Sequence, residues 1–200
     1  MKISRISKPL LAAVLTLSVN AGFAFVPTAI YTFDSSPWVV GATTPLLNMA
    51  PDTASGLPAF RASFTSSPTV GAFSVGTLRL NPSFSGNNLY QPGLPPGETL
   101  TITLSQPINS VHLDFQQFAP GHFDLTSAAG NASASTDSQI GSLDFHSNVP
   151  FTQFTLAAFY LESTPIPLGI DNLVLAVPEP STLTMVGLGA FAWVICRRRK

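Results

Sequence analysis

Proline and glycine interrupt this chain so often that long helices are excluded from most of it. The 200 residues include 18 Pro and 14 Gly. A proline inside a helix removes one hydrogen bond and clashes with the preceding turn. Between these interruptions lie short runs in which apolar and polar residues alternate. In Val111-His112-Leu113-Asp114-Phe115 the apolar residues hold every second position, as do Leu143 and Phe145 beside Asp144 and His146. A period of two places each apolar set on one face of a strand. Nine runs read as strands: Ala29–Asp34, Ala59–Thr65, Ala72–Leu80, Thr99–Ser105, Ser110–Phe118, His122–Ser127, Ser138–His146, Thr152–Tyr160 and Gly169–Val177. Many short strands with turn residues between them predict an all-β, antiparallel sandwich. Ser35–Pro58 and Pro82–Gly97 read as long surface loops, and Ala128–Ser138 as a small-residue loop or bulged edge. There is no internal repeat and no second domain.

The two ends differ from the middle. Lys2, Arg5 and Lys8 precede an apolar run, Leu10 to Val19, that is too short to span a bilayer and suits a secretory signal peptide. Cleavage after Ala24 or after Ala21 fits the small residues that follow. At the other end, Ser181 to Cys196 carries no charge. As a helix it spans about 24 Å, short for a membrane crossing but tolerable if the flanking cations snorkel toward the headgroups. Those cations are Arg197, Arg198, Arg199 and Lys200, and the positive-inside rule keeps them cytoplasmic. Pro178 and Pro180 hold Val177–Pro180 extended, as a protease substrate must be, and Ser181 or Thr182 can cap the helix. The chain therefore divides into residues 1–24, an exported domain 25–176, and a C-terminal segment 177–200. A plain tail anchor that is never processed is the other reading of the last segment.

Val177-Pro178-Glu179-Pro180-Ser181, then an apolar helix with Gly187 and Gly189, then an arginine-rich end: this order resembles the PEP-CTERM protein-sorting signal of Gram-negative bacteria, also called the ice-binding protein C-terminal domain. The resemblance covers about 24 residues. It implies that exosortase, a membrane-embedded protease, cleaves near the Pro-Glu-Pro triplet. The precursor would sit in the inner membrane through its C-terminal helix, and the product would reach the cell surface or the medium.

Charge is informative once the ends are set aside. The exported domain keeps Arg61 and Arg79 against Asp34, Asp52, Glu98, Asp114, Asp124, Asp137, Asp144, Glu162 and Asp171, a net charge of −7. Such a domain is a poor electrostatic partner for nucleic acid or anionic lipid. The single cysteine, Cys196, lies in the C-terminal segment, so the domain forms no disulfide.

Candidate chemistry is sparse. The first strand ends Thr32-Phe33-Asp34 and the last contains Ile170-Asp171-Asn172. These resemble the terminal strands of jelly-roll domains found in PEP-CTERM proteins and carbohydrate-binding modules. The resemblance implies a jelly-roll-like sandwich in which Asp34 and Asp171 help hold a structural calcium; otherwise Asp34 ends a strand and Asp171-Asn172 caps a turn. His112/Asp114, His122/Asp124 and Asp144/His146 each share a strand face and would make a metal site only if their strands converged. Thr99, Thr101 and Thr103 line one face, but one strand is not an ice-binding array. Trp38 and Tyr90 are candidate sugar-stacking rings, with Trp38 equally suited to the core. No catalytic motif is present, and no catalytic residue is assigned. The expectation is a non-catalytic envelope or matrix protein with exopolysaccharide as the contacted polymer; a secreted hydrolase and a calcium-, metal- or ice-binding module are the alternatives.

Overall fold

The computed structural model describes residues 28–57, 59–67, 72–76, 84, 86–91, 99–117, 119–136, 140–160 and 164–177. The expected signal peptide, the apolar helix and the motif beyond Val177 lie outside them. Pro27–Pro178 forms one compact unit. Its strands are β1 (Thr28–Tyr31), β2 (Leu46–Met49), β3 (Thr53–Ser55), β4 (Ala62–Ser67), β5 (Ser74–Gly76), β6 (Asn88–Tyr90), β7 (Thr99–Gln117), β8 (Gly121–Ser127), β9 (Gly130–Thr136), β10 (Ile140–Tyr160), β11 (Thr164–Pro165) and β12 (Leu168–Ala176). Among the described residues there is no helix, and the strand pairs are antiparallel. The protein is the expected all-β, jelly-roll-like sandwich.

Two strands make the sandwich. β7 and β10 pair along most of their length and serve both layers. The first layer runs β3-β1-β12, then residues 110–117 of β7, then residues 140–146 of β10. The second runs β2-β4, then residues 99–104 of β7, then the second half of β10, β8 and β9. β5 and β6 extend the first layer beside the start of β12.

The inward face switches phase between layers. On β7 the buried positions are Leu100, Ile102, Leu104 and Ile108, then Val111, Leu113 and Phe115. On β10 they are Leu143, Phe145 and Phe151, then Phe154, Leu156 and Ala158. An even-to-odd change needs an extra residue in the ladder, and the pairing slips between His146 and Gln153. Pro107 and Pro150 lie in these bends, both exposed, where a missing N–H costs the ladder least. The proline that marked the end of the expected strand Thr99–Ser105 is thus a corner inside one long strand. The same holds for the expected strands Ser138–His146 and Thr152–Tyr160.

The core is one cluster. Phe115 and Phe123 stack with centroids 4.3 Å apart. Phe115 lies over its register partner Gly141, where a Cβ would meet the ring at 2.6 Å. A second aromatic group joins Tyr31, Phe33, Trp38 and Phe64 at centroid distances of 4.8–6.0 Å. The Ala128–Ser138 segment is mostly strand: β9 closes a hairpin on β8, with Ala132 and Ala134 packed against the core and Asn131, Ser133 and Ser135 exposed. The segments expected as loops also contain short strands, β2, β3 and β6. Gly141→Ala should displace the Phe115 ring and destabilise the fold by about 1–3 kcal/mol; an unchanged thermal melt would show that the stack has slack.

Candidate functional site

β1 ends at Tyr31, and the chain turns through Phe33, whose φ is 60°. Asp52 holds this turn. It accepts hydrogen bonds from the Thr32, Phe33 and Ser35 backbone N–H groups, the Ser35 hydroxyl and the Trp38 indole, at 2.5–3.2 Å. A carboxylate bound this way organises a loop as an anion organises a nest of amides. Trp38 is 8% exposed and packed among three aromatic rings, so it is a core residue rather than a sugar-stacking surface. Sequence reasoning missed Asp52, because nothing local marks one acid among nine as the acceptor for a distant turn.

Asp34 follows that turn rather than ending a strand. Its Oδ1 accepts from the Asn87 N–H at 2.6 Å. Gly86, with φ at +87°, lets the carboxylate approach, because any Cβ there would collide with it. Asp171 sits at a bulge in β12. Its neighbour Asn172 adopts φ of 48°, and the β12–β7 register shifts between Asp171 and Val174. Asparagine tolerates this left-handed conformation better than most residues. On its other edge β12 leaves β6 after Ile170 and takes up β1 from Leu173.

The bulge buries a carboxyl group. Asp171 is 3% exposed. Its Oδ1 accepts from the Asn172 N–H at 2.7 Å, and Asn172 Nδ2 donates to Asp114 at 2.9 Å. Burial pushes the Asp171 carboxyl up to about 7; the Asn172 N–H opposes the shift, and the charges of Asp34, Asp114 and Asp52 add to it. Asn88 directly precedes Leu89, whose register partner Ile170 directly precedes Asp171. Asn88 is 1% exposed, and neither its Oδ1 nor its Nδ2 has a partner; the buried Gln116 and Gln117 amides are likewise unpartnered. A native fold accommodates unpaired buried amides through bound water, an ion or strain. The oxygens of Asp34, Asp171 and Asn88 are of the hard type calcium takes, but among the described residues no three His, Cys, Asp or Glu side chains group as a metal site.

Two of the three His–Asp pairs meet on neighbouring strands, and the third lies apart. His112 on β7 bonds Asp144 on β10 at 2.7 Å, while His122 lies 3.5 Å from Asp124 on β8. Tyr90 is half-buried, and its ring lies against Gly76, 3.3 Å from where a Cβ would stand.

The outward face of the second layer carries a feature that no single strand shows. Thr65, Thr101, Thr155, Thr126 and Asn131 are successive register partners across β4, β7, β10, β8 and β9. Each alternates with buried core positions and so points outward. The Thr101 and Thr155 hydroxyls are 3.2 Å apart. Ser63, Thr103 and Gln153 form a flanking row, with Gln153 donating to Thr103 at 3.3 Å. The three threonines of β7 were legible in sequence; their partners were not, because register is a tertiary fact.

Val177, the first residue of the expected motif, follows β12 directly and packs against the core. The rest of the motif, Pro178 through Ser181, and the Arg197–Lys200 cluster lie outside the described residues. The PEP-CTERM protein-sorting motif matches residues 176–200. The chain thus carries this sorting motif; the match does not extend to ice binding. No curated protein matches the chain. Among solved structures, it is similar to a family 29 carbohydrate-binding module complexed with mannohexaose, at 10% identity and a TM-score of 0.44, over 76% of this chain and 93% of that one. It is also similar to a family 29 module from Piromyces equi, at 11% identity and a TM-score of 0.41, over 78% and 93%. At these scores the likenesses assign neither ligand nor site.

The buried carboxyl sets a pH dependence. With the folded pKa of Asp171 above the unfolded value, the native state binds the proton more tightly. This contribution to stability is full below the unfolded pKa and is lost as pH rises through about 7. In metal-free protein, Asp171→Asn should flatten the fall in melting temperature between pH 4 and pH 7; an identical slope in the variant would reject the assignment.

Proposed function

We infer that the chain is an exported, non-catalytic protein of the cell envelope or extracellular matrix, sorted through exosortase and contacting exopolysaccharide. Its parts are a signal peptide (1–24), a sandwich domain (25–176) and a sorting segment (177–200) that anchors the precursor in the inner membrane until it is cut. The observation that carries this reading is the junction. The sorting motif begins at residue 176, the last residue of a strand held between β1 and β7. The domain is therefore joined to its signal without a long linker. The His–Asp pairs support a non-catalytic role, since His112 and Asp144 are bonded on an exposed sheet face rather than converging in a cleft. Tyr90 remains a candidate sugar contact.

The test is co-expression of the full chain with an exosortase, followed by mass analysis of the C-terminus and a polysaccharide-binding assay on the released protein. Loss of the C-terminal helix, release from the membrane and retention on polysaccharide are expected, with Glu179→Ala reducing processing. An uncut chain in the presence of active exosortase would refute the sorting role. Hydrolysis of the polysaccharide would refute the non-catalytic one.

A structural calcium at Asp34 and Asp171 is a second reading, favoured by the unpartnered, buried Asn88 just beyond the Leu89–Ile170 pair. Calcium would stabilise the carboxylate form that burial disfavours. Added calcium should raise the melting temperature of the wild type and leave Asp171→Asn unmoved; a melt insensitive to EDTA and calcium would remove this reading.

A further inference from the structure

We propose that the outward face of β4-β7-β10-β8-β9 is a binding track for an extended, neutral polysaccharide chain lying along the row Thr65, Thr101, Thr155, Thr126 and Asn131. This rests on the polysaccharide-contacting role above and names its site.

The row presents one hydrogen-bonding side chain per strand on five adjacent strands. Strands are about 4.8 Å apart, so the row is about 19 Å long. That repeat is close to the length of one hexose in an extended chain, so successive sugars can each meet one hydroxyl or amide. Threonine offers both a hydroxyl, which donates and accepts, and a methyl group, which packs on the apolar face of a sugar ring. The central pair is already aligned, with the Thr101 and Thr155 hydroxyls 3.2 Å apart.

Surface hollows adjoin one half of the row. A depression of about 480 Å³ is bordered by Thr126, Gln153 and Thr155, with the 61%-exposed Val149 on its rim. A second, of about 260 Å³, is bordered by Asp124, Thr126, Asn131 and Ser133. Thr126 belongs to both, so the Thr155–Thr126–Asn131 half of the row borders two hollows.

Charge selects a neutral polymer. The row itself carries no ionised group, and Asp124, beside it, is an acid in a domain of net charge −7. An anionic polysaccharide would be repelled. Sheet twist selects a chain over a flat lattice. Adjacent strands rotate by roughly 20–25°, which accumulates to about 90° over four steps. A flexible polymer can follow that twist, whereas an ice surface would touch only part of the row.

The experiment is affinity electrophoresis of the full-length chain, in mild detergent, through native gels containing hydroxyethyl cellulose, a soluble mannan or alginate. Retardation by a neutral polymer and none by alginate is expected. Thr101→Val, Thr126→Val and Thr155→Val together remove three hydroxyls while keeping β-branched shape, and should weaken binding about ten-fold or more. Thr126→Val alone, at an exposed position that cannot disturb the core, should weaken it about two- to ten-fold. If no polymer retards the wild type, the polysaccharide-contacting role fails. Wild-type retardation that survives the triple variant but is lost in Tyr90→Ala overturns the track and leaves that role standing. Inhibition of ice recrystallisation by wild-type protein, abolished by the triple variant without any polymer retardation, overturns it in favour of ordered water.

Discussion

The sandwich depends on two strands that change their inward face without breaking. Had β7 kept one phase from Leu100 to Phe115, either Leu100, Ile102 and Leu104 or Val111, Leu113 and Phe115 would point to solvent. Each apolar side chain left exposed forfeits about 1.5–3 kcal/mol of burial. β7 and β10 bend together, so their pairing is the same on both sides of the corner: Val111 faces Phe145 before it and Ile102 faces Phe154 after it. All four are buried. The layers are therefore parts of one sheet folded over its longest strand pair, and the register of one fixes that of the other.

That coupling explains why two polar surfaces of different character coexist. In the first layer the β12 bulge turns Asp171 into a buried site near Asp34 and the unpartnered Asn88. In the second, where β4, β7, β10 and β8 run in regular register, the outward positions stay open and accumulate threonine. β-Branched side chains fit a pleated face whatever their function, so threonine on one strand carries little information. Its recurrence at the same level on four adjacent strands is a constraint that strand propensity does not impose.

The sequence made the fold class legible through period-two alternation, because burial on one face dictates it. It failed where that signal is weak. Gly130–Thr136 lacks large apolar residues, yet it forms a full edge strand because Ala132 and Ala134 are just large enough to pack there. Pro107 and Pro150 correctly marked interruptions in the ladder, but a corner and a chain break look alike in one dimension. The Asp34 and Asp171 positions were visible from their flanking residues. Asp52, Asn88 and the five-strand row were not, since each owes its role to residues far away in sequence. Trp38 shows an alternative that sequence leaves open: an aromatic residue beside a turn suits surface and core equally until the rings around it are known.

The chain ends bear on how such a domain tolerates processing. Thr28, at the start of β1, is the register partner of Ala176, at the end of β12. The described chain therefore enters and leaves the sandwich side by side, on paired strands. Among the described residues, every buried core residue lies between Ala29 and Leu175. Cuts before Thr28 or after Val177 delete no described core side chain and open no described ladder. The margin is narrow on the C-terminal side, where Val177 packs against the core one residue before Pro178. Pro178 cannot donate to a continuing strand.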